Sequence, residues 1–340
     1  MTGGEPMAIS TASTPIIGDS SRPSGAPRAA GLMIGLTSAL AFSSSGPLVK
    51  PLLEAGWTLG AALLIRMGLA ALVLSPALVM AVHRRPGLLR REGRLIVGFG
   101  LTAVAGCQLF YFAAMQRMPV AVALLIQYLA PVLLVLLAWA RTRRAPSRTV
   151  IAGSIMALVG LVLVVDISGA RFDLLGTGFA LLAACCVGAY FLLSERAGED
   201  LPPLALAAGG LVVGAVLMAV LCLVGILPFA MPLVGVELGG IELPALLPIL
   251  WVGCIATTLG YALGVKAVPL LGSRVASFVG LSEVLFALGF AWLLLGETPG
   301  IWQIVGGVLI VGGVVLVRRD RNGAAEPRGE AASVPVVPVP

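Results

Sequence analysis

A carboxylate stands inside one of the most apolar runs of this chain. Glu283 lies in VASFVGLSEVLFALGFAWLLL. A charged side chain at the centre of such a run costs ~2.5–3.5 kcal/mol on membrane-insertion scales. It is charged there only if paired or hydrated, which suits exchange of a coupling proton or capture of a cationic group. A structural carboxyl bonded to a neighbouring helix is the other reading. Ala276, Gly280 and Ala287 share its face at helical spacing. Such small residues leave room for a cavity or for close helix packing. Arg66, in AALLIRMGLAALVL, is the complementary charge. Its fork of donors suits a carboxylate; pairing with an acid such as Glu283, or snorkelling outward, are the alternatives. Lys50, in GPLVKPLLEAG, lies nearer a segment end, so snorkelling stands beside ligand contact.

Gln127 and Pro131 are one helical turn apart. A proline inside a helix frees a backbone carbonyl and kinks the helix, which can line a polar site or serve packing. Gln108 and Tyr111, with Thr257, Thr258 and Tyr261, form two matching polar faces at i, i+3 or i+4 spacing. Helix-to-helix hydrogen bonds and ligand contacts explain them equally.

The elements that must position these residues are set by composition. Hydrophobic residues make up 59% of the chain and charged ones 11%, where soluble domains carry about 25% charged residues. Ten apolar segments are expected, at 29–47, 60–82, 95–115, 120–140, 149–165, 176–193, 204–224, 246–265, 275–295 and 301–317. Each approaches the ~20 residues that span a bilayer as helix. A barrel would show alternating strands of about ten residues instead. The fold class is therefore an all-α integral membrane protein with ten transmembrane helices. The polar stretches 1–28 and 322–340 read as disordered cytoplasmic tails, the second Pro-rich. No apolar stretch near the N-terminus has the form of a cleaved signal.

The net charge of +6 is not a nucleic-acid signal, because the arginines cluster between apolar runs. Arg84, Arg85, Arg90, Arg91 and Arg94 follow the second segment; Arg141, Arg143, Arg144 and Arg148 follow the fourth. Lys266 and Arg274 follow the eighth, and Arg318, Arg319 and Arg321 the tenth. The opposite connections hold Lys50, Arg117 and Arg171, with none in 226–244. The positive-inside rule then places both termini in the cytoplasm. The connection with Glu195, Arg196, Glu199 and Asp200 is acidic on balance, but acids weigh little in this rule. The basic clusters also suit contact with anionic lipid. The five cysteines lie in apolar runs without CxxC spacing, and His83 is the single histidine. Packing explains these cysteines better than a metal site does, and no cofactor is expected.

The chain also echoes itself. Tyr111 and Pro119 match Tyr261 and Pro269 at a shift of 150 residues. At a shift of 153, Leu129-Ala130-Pro131 lies against Ser282-Glu283-Val284, Gly153 against Gly306, and Gly160 against Gly313. Five helices per half is an odd number, so the second copy must be inverted. Inverted five-helix repeats are a recurring design of secondary transporters, with the site at mid-membrane between the halves.

On these residues the chain resembles the drug/metabolite transporter superfamily, and within it the EamA-domain members, over about 31–319. That family's Lys at the end of helix 1 and Arg within helix 2 correspond to Lys50 and Arg66. Its Glu-Pro pairs in helices 4 and 9 are split here: Ala130-Pro131 keeps the proline and Glu283-Val284 keeps the acid. Gly296-Glu297 is kept, whereas the first half has Arg143-Arg144.

The resemblance implies two EamA-like repeats, 29–166 and 176–319. It also implies transport of a small-molecule substrate (amino acid, related metabolite or drug-like compound, chiefly exported) across a bacterial-type inner membrane. The last helix of each half would lie at a subunit interface, as in a homodimer, or at the interface between halves. The glycines Gly306, Gly307, Gly312 and Gly313 fit such packing. The five tryptophans fit mostly an interfacial belt. A membrane-embedded enzyme acting on lipid or isoprenoid is the alternative, but no acid pair or histidine cluster stands at a helix end. No GxxxxGK[ST] run occurs, so an ion gradient is the expected energy source.

Overall fold

The computed structural model describes residues 26–118, 120–143, 145–165, 173–197, 201–232, 234–296 and 298–323. Expectations for the outer tails, and for Pro119, Arg144, Arg171, Glu199, Asp200 and Glu297, lie outside these residues.

The described chain is helical apart from one hairpin. The first half holds α1 (Ala26–Ser43), α2 (Ser45–Glu54), α3 (Leu59–Arg84) and α4 (Leu88–Phe99). A π-helical segment, Gly100–Gly106, leads into α5 (Cys107–Met115), and α6 (Val120–Gln127), α7 (Ala130–Thr142) and α8 (Arg148–Val165) follow. The second half holds α9 (Leu174–Glu195), α10 (Pro203–Leu223), the strands β1 (Gly235–Leu238) and β2 (Ile241–Pro244), and α11 (Leu246–Trp251). A second π segment, Val252–Thr257, joins α12 (Thr258–Leu271), then α13 (Ser273–Gly280), α14 (Ser282–Leu295) and α15 (Ile301–Gly323). Among the described residues, eight stretches are long and apolar enough to cross a membrane, and Arg148–Val164 and Ile301–Val317 are shorter apolar helices.

Several boundaries differ from the sequence reading. The first segment runs on to Glu54. Pro47 stands in the opening turn of α2, where a missing N–H has no helical partner to lose. The third helix begins at Leu88, so Arg90, Arg91 and Arg94 lie on helix, and the connection shrinks to a turn at left-handed Gly87. The eighth runs to Leu271 and takes Lys266 with it; Gly272, at φ 76°, then turns the chain into α13. The stretch 226–244 contains a hairpin that was not anticipated. Its Gly239-Gly240 pair has φ of 61° and 80°, the signature of a two-residue type I′ turn. Val236 is buried with Leu52 and Trp57 beneath the hairpin. Trp57 donates to the carbonyl of Pro232 at 2.9 Å, so this tryptophan is a packing residue. Trp139, Trp251, Trp292 and Trp302 are exposed, as a belt requires.

The internal echo reappears as backbone geometry. The fourth and ninth spans are both broken, at Tyr128–Leu129 and at Leu281, which coincide under the 153-residue shift. Proline is not the common cause, since the second break has none. Pro131 stands in the first turn of α7, where proline is tolerated, instead of kinking an unbroken helix. The two π segments overlap under the 150-residue shift.

The last helices of the two halves meet through the matched glycines. A Cβ added to Gly153 would meet Gly313 O at 2.9 Å, and one added to Gly160 would meet Gly306 O at 2.5 Å. Partner numbers fall as one's own rise, so α8 and α15 run antiparallel. Each glycine meets the counterpart of the other, the pattern of a two-fold interface. These glycines serve contact between the halves.

Candidate functional site

A cavity of about 240 Å³ lies between the halves. It takes its walls from α1, α3, α5, α6 and α7 on one side and from α9, α12, α13 and α14 on the other. Seven of the anticipated residues line it: Glu283, Arg66, Gln108, Tyr111, Gln127, Pro131 and Tyr261. Both helix breaks open onto it. Glu283 stands in the first turn of α14, just past the break at Leu281. There a carboxylate is favoured by the helix dipole and by N–H groups without helical partners. Tyr128, at the opposite break, lines the same cavity and interacts with that carboxyl. The two breaks are thus joined through one polar contact.

Arg66 faces the same space from α3 and interacts electrostatically with Glu283. The two do not close to a contact ion pair among the described residues. Arg66 Nε and Gln127 Oε1 are buried atoms without a hydrogen-bond partner in the protein. Buried polar atoms in native proteins are almost always satisfied, so one donor and one acceptor beside this cavity stand out as lacking a protein partner. Gln127 Nε2 is engaged, donating to Cys107 Sγ at 3.3 Å.

Two anticipated residues are not brought here. Thr258 is buried and donates to the carbonyl of Gly253 at 2.8 Å. Thr257 does the same to Val252 at 2.7 Å. Both bonds reach back five residues, because the π segment leaves those carbonyls beside the threonine hydroxyls. Lys50 lies on α2, beyond the cavity wall.

Other cavity residues were missed. All four tyrosines of the chain line it, including Tyr128 and Tyr190. Tyr190 stacks edge-on to Phe191 with centroids 5.0 Å apart and to Tyr261 at 6.0 Å. Phe42 meets Tyr261 at 5.1 Å. Gly260 and Gly264 make room for these rings: a Cβ at Gly260 would strike Phe42 and one at Gly264 the Tyr190 hydroxyl. The available signal was the scarcity of tyrosine in so apolar a chain. A phenol in lipid needs a partner, so the tyrosines collect where polar groups do.

The outside of the bundle is oily: Leu72, Val216, Leu293 and Val308 are all more than half exposed. A helix bundle with an apolar surface and a polar, aromatic cavity between two similar halves matches one known family twice over. The EamA-like transporter family model fits residues 29–166 and again 174–319. The chain belongs to this family. One solved crystal structure of a protein aligns with a TM-score of 0.70 at 20% identity, over 88% of this chain and 100% of that one. At that identity the likeness bears on fold alone. No curated protein matches the chain in sequence. As an EamA-like protein, the chain is a multi-pass membrane transporter of small molecules, a family of transporters and not of enzymes. Its partners are a small-molecule substrate and the lipid bilayer.

Proposed function

We propose that this EamA-like protein is a secondary transporter that moves a small metabolite outward across the inner membrane by alternating access. The cargo class is an amino acid, a related metabolite or a drug-like compound. Ten spans form two inverted five-helix repeats, with Arg148–Val164 and Ile301–Val317 as the fifth and tenth. The reciprocal antiparallel glycine contacts between α8 and α15 support the inversion. Both termini are cytoplasmic, from the distribution of arginine.

The observation that carries the reading is the pair Arg66 and Glu283. They face one cavity from different halves without a contact ion pair, while Arg66 Nε remains unpartnered. Arg66 takes the carboxylate or another anionic group of the cargo. Glu283 takes the amine or the coupling proton. Proton and cationic cargo then compete for one carboxylate, which is a direct route to coupling. The helix breaks supply the movement. The half-helices α7 and α13 pack on each other, whereas α6 packs on α5, α8 and α9, and α14 on α1, α2 and α15. In the proposed orientation the bundle is therefore drawn together at its cytoplasmic end. Exchange of conformation between the two repeats would part α7 from α13 and bring α6 to α14.

The test is gradient-driven transport in proteoliposomes. Glu283→Gln keeps size and fold but removes the titratable group, and is expected to abolish proton-driven flux at wild-type expression. Undiminished flux in that variant would end the assignment.

A further inference from the structure

A second cavity, of about 420 Å³, lies at the other end of α7 and α13. It is a separate chamber. Leu192, Gly272 and Val275 line it, whereas their immediate neighbours Phe191, Leu271 and Ala276 line the central cavity. The wall between the two is one residue thick on three elements. The chemistry of this chamber also differs. Its polar wall is made by Arg141 and Thr142 at the end of α7, Glu195 at the end of α9, and Ser273 and Arg274 at the start of α13.

Two guanidiniums face one carboxylate, so the chamber carries a net positive charge. Glu195 does not neutralise them: neither Arg141 nor Arg274 closes an ion pair with it or with any other described carboxylate. Arg274 is half-buried, whereas Arg141 and Glu195 are exposed at the rim. The start of α13 adds to this. Its N-cap, Gly272, has no side chain to satisfy the opening N–H groups, and Gly272, Ser273, Arg274 and Val275 all line the chamber. Two forked cations, a serine hydroxyl and an uncapped helix start suit a tetrahedral oxyanion. Basic pockets between helices near a membrane surface are suited to lipid phosphates.

We propose that this chamber is a binding site for a phosphate group, separate from the central cavity. The anion bridges Arg141 on α7 and Arg274 on α13 and so ties together the two half-helices that meet at this end of the bundle. The same chemistry is offered by the headgroup of an anionic phospholipid and by free phosphate.

The experiment measures the unfolding midpoint of the full-length protein in neutral detergent. Three additions are compared: dioleoylphosphatidylglycerol, the same concentration of dioleoylphosphatidylcholine, and inorganic phosphate against chloride at equal ionic strength. Binding to the folded state raises the midpoint, here by about 3–5 °C near saturation. The phosphatidylglycerol or the phosphate arm is expected to show this rise and the phosphatidylcholine arm not. A rise with phosphate assigns a free anion; a rise with phosphatidylglycerol alone assigns the lipid. R141Q/R274Q should lose the rise, and R90Q/R91Q, which removes two arginines elsewhere, should keep it. If R141Q/R274Q does not fold, Ala138→Trp fills the chamber without touching either charge and should lose the rise as well. No rise in either arm, or an equal rise with the chamber altered, overturns the site. Because the readout is binding, absent transport would count against the proposed function and leave this site standing.

Discussion

At the scale of single residues, the cavity separates groups that wait for a ligand from groups already engaged. Arg66 belongs to the first kind, since its Nε has no partner. Arg66→Lys keeps the charge but loses the planar fork. It is expected to raise KM at least ~10-fold, the equivalent of about 1.4 kcal/mol, with a smaller change in maximal flux; concentration dependence in proteoliposomes measures both. Tyr128 is the residue that positions Glu283. Tyr128→Phe removes the hydroxyl that interacts with Glu283, and should slow proton-driven flux several-fold while leaving the fold intact. Thr258 is engaged with the Gly253 carbonyl, so Thr258→Val should leave KM unchanged within about twofold and register only as a small loss of stability.

At the scale of elements, glycine does different work at different places, and one substitution reports which. At Gly160 a Cβ meets the Gly306 carbonyl at 2.5 Å, whereas at Gly68 nothing lies within 4 Å. Gly160→Ala must push α8 from α15 and should lower stability by about 1–3 kcal/mol. Gly68→Ala should be neutral or slightly stabilising through helix propensity. Thermal unfolding in one detergent compares the pair. The hairpin is a similar case. Gly240 holds φ 80°, so Gly240→Ala is strained by roughly 1–2 kcal/mol.

The helical spans were legible as apolar runs, because lipid demands that backbone groups be satisfied within the segment. Their breaks were not. Pro131 pointed to the fourth span, but the break at Leu281 has no proline, and Gly280 before it and Ser282-Glu283 after it are weak signals. The hairpin had a readable signal, Gly-Gly between two short alternating runs, small beside the long apolar segments around it.

At the scale of the whole molecule, the orientation is open to a direct measurement. In a background without the five native cysteines, Gly239→Cys at the hairpin tip should react with an impermeant thiol reagent from outside the cell, and Gly87→Cys should not. The opposite pattern would reverse the membrane orientation and place the phosphate chamber on the outer face. The match of halves seen at a few identities becomes firm at this scale. Paired helix breaks and reciprocal glycine contacts share the 153-residue shift, and the π segments overlap at 150, the same two shifts as the sequence echo.

The sequence by itself determined the material of the molecule. Its apolar fraction required a lipid setting, its arginines implied an orientation, and an acid and a base inside oily runs marked Glu283 and Arg66 as costly enough to need a reason. These are properties of local composition and survive without knowledge of neighbours. Tertiary structure alone decided which polar groups meet. It gathered the four tyrosines around one cavity, turned Thr258 away to a backbone carbonyl, left Lys50 outside, and set Tyr128 against Glu283 from 155 residues away along the chain. A hydrogen bond or an unpartnered guanidinium depends on a few ångströms between helices, and that spacing is fixed by how glycine faces and broken helices pack, not by any one run of residues.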